Sequence, residues 1–293
     1  MLRDMATGEF RFGVNMTASS GRQAWVDKCR RAEELGFDVV AVPDHLGMVS
    51  PFPALVLAAE ATERVRVGTF VINAPFFNPT LLARDIVGTD LCTDGRLEIG
   101  LGAGYVKAEF DKAGLPFESP GKRVDHLERT IDELARFAAD ETEPNPAQNP
   151  IPLLVAGNGN RVLELAAERA DIIGFAGAGI GRDGTPTVST AEDLDERVAY
   201  VRGALDGRQV EFNTLVQRMR ITEDRESALD ELVDLFGGTK TRTEIDALPT
   251  FYVGTADEIA DKLRANRERF GFTYVTVLEP DLDALGQVIP LLR

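Results

Sequence analysis

The feature that most constrains the fold is a regular alternation of short apolar runs with longer amphipathic ones. The first pair joins Phe10–Met16, which has the composition of a strand, to Trp25–Leu35, whose apolar residues recur at helical spacing and stop at Gly36. The alternation continues along the chain and gives eight strand–helix units in 293 residues. This number and length predict a (β/α)8 TIM barrel. An open doubly wound sheet has the same alternation, and the sequence does not show whether the sheet closes.

The predicted strands are short and rich in apolar residues, and the predicted helices are longer and amphipathic. The strands are Phe10–Met16, Asp38–Val42, Val65–Ile72, Arg96–Leu101, Leu153–Ala156, Ile172–Ala176, Glu211–Met219 and Tyr274–Leu278. The helices are Trp25–Leu35, Pro53–Ala61, Pro79–Leu91, Lys122–Phe137, Arg161–Ala170, Glu192–Leu205, Glu226–Phe236, Asp257–Phe270 and a short tail helix. Tyr105–Pro120 is an excursion before a helix, Gly177–Thr190 is a Gly-rich loop, and Phe251–Thr255 opens a helix with Thr255 as its cap.

Charge and cysteine usage limit the classes of function. The chain has 48 acidic and 32 basic residues, a net charge of −16 that disfavours nucleic acids and anionic membranes as partners. No apolar stretch approaches the roughly 18 residues of a membrane span, so we expect a cytoplasmic protein. Cys29 and Cys92 are expected to be buried free thiols of a reducing compartment. His45 and His126, the two histidines, offer no typical zinc site, and His126 is expected to be solvated.

In a barrel of this kind, reacting groups lie where the strands end. The candidates at those positions are Asn15-Met16-Thr17, Asp44-His45, Asn73-Ala74-Pro75-Phe76, Gly102-Ala103-Gly104-Tyr105, Gly157-Asn158-Gly159-Asn160, Gly177-Ala178-Gly179, Gln217-Arg218 and Glu279. Asp44 and His45 end a run that reads as buried on both faces, where packing gives no reason for two titratable residues. They are therefore predicted to be the reacting pair, and the alternative is a solvated turn that caps the next helix.

Two Gly-rich segments offer binding sites for an anionic group. Ala156-Gly157-Asn158-Gly159-Asn160-Arg161 leads from a strand into a helix, where free amides, the helix dipole and Arg161 suit a phosphate. The alternative is a tight turn with Asn160 as the helix cap. Gly177-Ala178-Gly179-Ile180-Gly181 is superficially like a dinucleotide loop, but Asp183-Gly184-Thr185-Pro186-Thr187 is expected to keep the chain irregular. A mobile lid or a plain surface loop is expected there.

Several reaction classes lack their motifs. The sequence has no Gly-x-Ser-x-Gly nucleophile elbow and no P-loop Gly-Lys-Ser/Thr. A glycosidase pair would have to consist of Asp44 and Glu279, the two acids offered at strand ends. These reaction classes are therefore not expected.

Motifs along nearly the whole chain resemble one known family. They are Val42-Pro43-Asp44-His45, Val67-Gly68-Thr69-Phe70-Val71-Ile72, Gly95-Arg96-Leu97-Glu98-Ile99-Gly100-Leu101-Gly102-Ala103-Gly104-Tyr105, Ser119-Pro120-Gly121-Lys122-Arg123 and Val253-Gly254-Thr255. In this order they are similar to the luciferase-like monooxygenase superfamily. Within it, the chain most resembles the actinobacterial-type oxidoreductases that use the deazaflavin coenzyme F420 rather than FMN.

The resemblance implies a bacterial-luciferase-like barrel over residues 1–293 as a single domain, with an insertion near the seventh strand, and usually a homodimer. It also implies a non-prolyl cis peptide, here Phe70–Val71, against the deazaflavin ring. Asp44 and His45 match the pair beside the reactive ring face. The expected cofactor contacts are Asp44, Phe70, Val71, Asn73, Ala103, Gly104, Tyr105, Ala156, Gly157, Asn158, Gly159, Asn160 and Arg161. The expected substrate contacts are Asn15, Phe76 and Tyr105.

One position departs from the sugar-phosphate dehydrogenase branch of that superfamily. A glutamate proton donor follows the fourth-strand glycine there, and this chain has Tyr105 instead. With Phe76 and Phe77 near the same mouth, a neutral organic substrate is expected rather than a phosphorylated one. The predicted reaction is hydride transfer with F420, in which His45 gives or takes a proton and Asp44 orients it or bonds to the cofactor. The alternatives are an FMN-dependent monooxygenase, a non-catalytic flavin-binding barrel and a metal-free lyase or isomerase.

Overall fold

The structure is a computed structural model that describes residues 9–17, 21–140, 144–180 and 186–293. Its strands, in chain order, are β1 (Arg11–Asn15), β2 (Val39–Val42), β3 (Arg66–Thr69), β4 (Ile72–Asn73), β5 (Leu97–Gly102), β6 (Leu153–Ala156), β7 (Ile172–Phe175), β8 (Ala178–Ile180), β9 (Pro186–Val188), β10 (Glu211–Val216), β11 (Arg218–Ile221), β12 (Phe251–Gly254) and β13 (Phe272–Leu278). Its helices are α1 (Arg22–Glu34), α2 (Pro51–Ala61), α3 (Pro79–Cys92), α4 (Lys107–Ala113), α5 (Pro120–Ala139), α6 (Asn160–Arg169), α7 (Ala191–Ala204), α8 (Arg225–Leu235), α9 (Arg242–Asp246), α10 (Ala256–Phe270) and α11 (Leu282–Leu292).

The main sheet closes into a parallel barrel. The hydrogen-bonded order is β3, β2, β1, β13, β10, β7, β6 and β5, and a further pairing of β3 with β5 completes the ring. β4 continues the third barrel strand beyond Phe70 and Val71 and pairs with the end of β5. Because neighbouring strands are parallel, their carboxyl ends all open on one side of the ring. The predicted (β/α)8 TIM barrel is confirmed, and the open doubly wound alternative is wrong.

Side chains that alternate along the strands supply two cores. In β1, Phe12 and Val14 are fully buried in the large core between the barrel and its helices. Gly13, between them, lies against the ring of Tyr274, where an added Cβ would come within 2.9 Å of the tyrosine. The smaller core within the ring of strands contains Val39, Ala41, Phe70, Leu154, Ile172 and Tyr274. A strand buried on both faces explains the continuous apolar runs of the sequence.

Charged residues close the amino-terminal end of the barrel. We call Arg11, Arg66, Glu98 and Glu211 the charged plug. Glu98 Oε1 lies 2.6 Å from Arg66 Nε and 2.5 Å from Arg11 Nη2, and Arg11 also pairs with Glu211. The Arg11 guanidinium stacks over the Tyr274 ring, 4.7 Å from its centre. Burial raises the pKa of Glu211, although Arg11 opposes the shift.

An insertion follows the seventh barrel strand, as predicted. It carries the parallel pair β11–β12 together with α8 and α9. A separate small core holds it together: Ala228, Leu229, Leu232, Ile245, Leu248, Phe251 and Val253. Lys262 on α10 fastens it to the barrel, because its Nζ donates to the carbonyl oxygens of Asp246, Leu248 and Phe251 at 2.6, 3.0 and 2.7 Å. Burial lowers the pKa of Lys262 to about 8.

Three local predictions need correction. Phe251–Gly254 is strand β12, while Thr255 caps α10 as predicted. The predicted strand Glu211–Met219 is divided at Gln217, because β11 leaves the barrel to pair with β12. In the Gly-rich loop, β8 and β9 form an antiparallel hairpin, so the expected irregular chain at Pro186–Thr187 is wrong. Residues 181–185, which include Gly181 and Asp183-Gly184-Thr185, lie outside the described residues.

Two side chains differ in exposure from expectation. Cys29 is a buried free thiol as predicted, but Cys92 is exposed because it lies on the solvent side of the last turn of α3. His126 is half-buried rather than solvated, and its Nε2 lies 3.0 Å from the carbonyl oxygen of Phe77. In the part of the chain that the structure describes, no helix has the length and apolar character of a membrane span.

Candidate active site

Three adjacent barrel strands are joined by side chains at their carboxyl ends. The side-chain amide of Asn15, the last residue of β1, donates to the carbonyl oxygen of Phe70 at 3.1 Å. The backbone N–H of Asn73, the last residue of β4, donates to Asp44 Oδ2 at 3.0 Å. Between β3 and β4 the Phe70–Val71 peptide is cis, which confirms the prediction for this position. The structure therefore brings Asn15, Asp44, Phe70 and Asn73 together.

Asp44 is buried enough to change its acidity. Removal from water raises the pKa of its carboxyl group, and the nearby negative charge of Glu109 acts in the same direction. The hydrogen bond from Asn73 and the charge of His45 oppose the shift. The side chain of Asp44 is thus engaged with the third barrel strand.

His45 has a partner that the sequence did not reveal. Its Nδ1 lies 2.9 Å from Oε1 of Glu109 on α4, and the two side chains are only 30% and 15% exposed. The edge of the imidazole meets the ring of Tyr105, with the ring centres 6.1 Å apart. His45, Tyr105 and Glu109 form a cluster over the carboxyl end of β2 and β5.

Aromatic packing holds α4 over the barrel. We call residues 105–119 the α4 excursion. Phe110 is fully buried between Phe76 and Phe117, with ring centres 4.9 and 5.0 Å away. Arg123 stacks over Phe117 at 4.1 Å, and its Nε donates to the carbonyl oxygen of Gly104 at 3.2 Å. The position of Glu109 is therefore set by its neighbours as well as by its bond to His45.

Close backbone approach explains three glycines of the fourth barrel strand and its turn. A Cβ on Gly100 would lie 2.0 Å from the carbonyl oxygen of Thr69, and one on Gly102 would lie 2.7 Å from Val71 Cγ2. Gly104 has φ +69°, and a Cβ there would lie 2.2 Å from Asn73 Oδ1. These glycines make room for the interrupted third strand, so packing alone already requires them.

The predicted phosphate loop lies at the end of β6, the strand next to β5. Gly159 is the N-cap of α6, and no side chain caps the first-turn amides, so the alternative with Asn160 as cap is wrong. A Cβ at Gly159 would meet nothing within 4 Å, whereas one at Gly157 would clash with Val162. Open space and uncapped amides fit an anion.

Side chains around this loop already have partners within the protein. Arg161 pairs with Asp125 at 2.7 Å and donates to the carbonyl oxygen of Gly121 at 3.1 Å. Asn158 donates to the carbonyl oxygen of Ala178 at 3.2 Å, and the Asn160 side chain accepts from Arg197 at 2.6 Å. Asp125 therefore supplies an anion beside Arg161, and contact between this arginine and a phosphate stays a prediction.

Other strand-end candidates are also engaged. Glu279 accepts from the backbone N–H of Thr17 at 2.7 Å and forms an ion pair with Lys28. Gln217 donates its side-chain amide to the carbonyl oxygen of Ala176 at 2.8 Å. These contacts join the strand ends to one another, and the assignment of Asp44 and His45 as the reacting pair stays a prediction.

Unpartnered polar atoms show what the site still lacks. Among the residues that the structure describes, Asn15 Oδ1, Asn73 Oδ1 and Glu109 Oε2 are buried without a hydrogen-bond partner. Buried acceptors of this kind are costly unless a ligand supplies donors. They fit a ligand that presents N–H or O–H groups at the strand ends, as a flavin-type ring and its side chain do. In the described ranges no group of three His, Cys, Asp or Glu residues is placed to hold a metal ion.

The rim of the site is apolar. Leu46 and Met48, in the loop after β2, are 38% and 40% exposed, and Tyr105, after β5, is 60% exposed. Large exposed apolar side chains grouped at one place on the surface favour an apolar ligand. Phe76 is half-buried and packs against Phe110, so it is less exposed than these rim residues.

Comparison with known proteins identifies the family. The family model of luciferase-like monooxygenases matches residues 9–240. The chain belongs to the luciferase-like monooxygenase family. A barrel with a cis peptide in its third strand and a polar cluster at the carboxyl ends is thus placed in a family whose members are oxidoreductases or monooxygenases.

Relatives with different activities share this barrel. The 5,10-methylenetetrahydromethanopterin reductase of Archaeoglobus fulgidus is 24% identical over 85% of this chain and 87% of its own. The 4-hydroxyprotoasukamycin monooxygenase of Streptomyces nodosus subsp. asukaensis is 27% identical over 84% of this chain and 78% of its own. The structure of the coenzyme F420 dependent tetrahydromethanopterin reductase from Methanopyrus kandleri superposes with a TM-score of 0.76 at 20% identity, covering 97% of this chain and 100% of that one.

Proposed function

We propose that this protein is an F420-dependent oxidoreductase that transfers a hydride between the deazaflavin C5 and a small, uncharged organic substrate. The observation that carries the proposal is the cluster at the strand ends: an imidazole held by Glu109, together with buried Asn15 and Asn73 oxygens that have no donor within the described residues. Such a site has a proton donor and an incomplete set of hydrogen bonds, and a bound ring would complete the set.

The residues that would hold the cofactor lie along one end of the barrel. Asn73, Ala103 and Gly104 would meet the ring region, and the Gly157–Asn160 loop would meet the phosphate. When bound, F420 supplies two electrons as a hydride at C5. His45 would supply or remove the accompanying proton on the substrate, which balances reduction of a C=C, C=N or C=O bond or the reverse dehydrogenation.

Charges around the opening favour an uncharged substrate. Lys107 pairs with Asp111 at 2.6 Å, Lys28 pairs with Glu279, and Arg123 donates to backbone carbonyls. These three cations are thus already engaged, while Asp44 and Glu109 place acidic groups beside His45. The carboxylates would repel a phosphorylated substrate, which agrees with Tyr105 standing in place of the sugar-phosphate branch's glutamate.

An FMN-dependent monooxygenase is the second candidate, and the relationship to the Streptomyces monooxygenase favours it. The decisive measurement is a titration of purified apoprotein with F420 and with FMN, followed by absorbance and fluorescence. We expect tighter binding of F420 and anaerobic turnover between F420 and an uncharged carbonyl or alkene. Preferred binding of FMN, with oxygen consumption, would replace this proposal by the second candidate. Binding without any turnover would favour a non-catalytic flavin-binding barrel.

We further propose a cytoplasmic homodimer in which each copy acts as a single domain. The apolar side chains of Leu81 and Leu91 on α3 are 52% and 42% exposed, which supports a covered face in the assembly. Sedimentation velocity at micromolar concentration tests it, and a monomer at all concentrations would remove this part of the proposal.

A further inference from the structure

The hydrogen bond between His45 and Glu109 determines which imidazole nitrogen carries hydrogen. Glu109 Oε1 lies 2.9 Å from Nδ1. An ionised carboxylate has acceptors only, so the bond requires the hydrogen to be on Nδ1. In a neutral imidazole the other nitrogen, Nε2, is then an acceptor. A free histidine side chain favours the opposite arrangement, with hydrogen on Nε2.

We propose that Glu109 is a positioning residue that fixes the hydrogen of His45 on Nδ1 and leaves Nε2 as the nitrogen that exchanges a proton with the substrate. The inference rests on the proposed function of His45 and deepens it. It gives the α4 excursion a part in the reaction, because that segment supplies the carboxylate from 64 residues further along the chain. A carboxylate that orients an imidazole is a recurrent device in proton-transfer enzymes.

The contacts of α4 separate this role from a merely structural one. Phe110 is buried against Phe76 and Phe117, and Arg123 holds the carbonyl oxygen of Gly104. These contacts anchor the excursion without Glu109. The second carboxylate oxygen, Oε2, is buried without a partner among the described residues, so packing gains nothing from the ionised group there. Replacement of Glu109 by glutamine should therefore leave the excursion in place.

The tautomer of His45 is directly measurable because the chain has two histidines. Protein with ¹⁵N-labelled imidazoles gives two sets of ring signals, and His126→Gln identifies the set that belongs to His45. At alkaline pH, where a histidine ring is neutral, we expect a protonated Nδ1 and an unprotonated Nε2. In Glu109→Ala the ring should revert to hydrogen on Nε2. Hydrogen on Nε2 in the unmodified protein, or an unchanged pattern in Glu109→Ala, would overturn the inference.

Turnover provides the second readout. Glu109→Gln keeps the size of the side chain but can donate as well as accept, so it no longer enforces one tautomer. The same exchange in a catalytic triad lowers turnover about 10⁴-fold, and we expect a loss of roughly 10²-fold here, since the imidazole remains in place. A kcat within about threefold of the unmodified enzyme would contradict the proposal.

Glu118→Gln is the matched control. Glu118 lies in the same excursion, but its side chain is exposed and pairs with Lys122 at 3.0 Å. Its replacement should alter neither the His45 signals nor turnover. The spectra need no cofactor, so the two proposals fail separately. Absence of F420 binding with the expected tautomer would refute only the proposed function, and F420 turnover with the wrong tautomer would refute only the role of Glu109.

Discussion

The two ends of the barrel differ in how far their buried polar groups are paired. At the amino-terminal end, the arginines and glutamates of the charged plug pair with one another at short distances. At the carboxyl-terminal end, Asn15, Asn73 and Glu109 each keep a buried oxygen without a partner in the described parts of the chain. Both ends are formed by the same strands. Buried atoms without a hydrogen-bond partner also include Arg66 Nε and Asn213 Oδ1, so the feature that distinguishes the carboxyl-terminal end is the grouping of three unpartnered oxygens there.

The paired groups at the amino-terminal end hold their strands in place, whereas the unpartnered acceptors at the carboxyl-terminal end lower the stability of the fold. A buried ion pair is strongly destabilising only when one member is removed. A buried acceptor without a donor costs about 1–3 kcal/mol until something binds it. The site end tolerates this cost because the large core around the strands supplies the stability. Three substitutions test the contrast.

Replacement of His45 by alanine should give the largest effect. Loss of the proton donor is expected to lower turnover by roughly 10²–10⁴-fold while the dissociation constant of F420 stays nearly unchanged. Stopped-flow reduction of bound F420 measures this directly. His126→Gln serves as the comparison, because His126 lies on α5 and bonds to the backbone of Phe77. Weakened cofactor binding, with normal turnover of the bound fraction, would exclude His45 as the proton donor.

Replacement of Glu98 by glutamine should lower the stability of the fold without changing turnover. The change removes the buried charge that Arg66 and Arg11 share, although Arg11 keeps Glu211, and we expect the free energy of unfolding to fall by about 3 kcal/mol. Urea denaturation measures it, with kcat of the folded fraction unchanged. Glu231→Gln breaks an exposed pair with Arg220 and should cost less than about 1 kcal/mol. Equal losses of unfolding free energy in the two variants would show that the charged plug stabilises the fold no more than an exposed ion pair does.

Replacement of Asn73 by alanine should give the smallest effect. This effect should be on cofactor binding rather than on stability. Its backbone bond to Asp44 is retained and the lost Oδ1 has no partner, so stability should change by less than about 1 kcal/mol. The dissociation constant of F420 is expected to rise about tenfold, as for the loss of one hydrogen bond. Asn213→Ala is the counterpart inside the barrel, where Nδ2 donates to Thr276 at 2.7 Å. That variant should lose stability and keep its affinity, and the reverse pattern would contradict the contrast.

Much of the fold was predictable because each barrel strand and helix has a strong local pattern. Val39–Val42 and Leu153–Ala156 are continuous apolar strands, and α10 begins with the predicted Thr255 cap. Elements with weak patterns were missed. The short helices α4 and α9 have seven and five residues, too few for a periodic signal. β12 was read as the opening of a helix because its partner, β11, lies far away in the sequence.

The candidate site was predictable where it follows strand ends and not where it depends on distant contacts. Asp44 and His45 stand out locally. Glu109 does not, since Lys107-Ala108-Glu109 has the composition of an exposed helix turn. Gly102 was a candidate because it follows the predicted fourth strand. Gly102 and, within that strand, Gly100 are required by the close approach of the third strand, a reason that no local pattern contains.

The α4 excursion has one further consequence. It is attached to the barrel by the stacked rings of Phe76, Phe110 and Phe117 and by Arg123, and it contributes no strand to the ring. Amino-acid changes within it can therefore exchange the group that meets His45 while the eight-stranded ring assembles as before. Directed evolution of the α4 excursion with Phe110 and Phe117 retained should thus diversify the reaction while most library members remain folded, which makes this short segment the natural place to engineer new substrates.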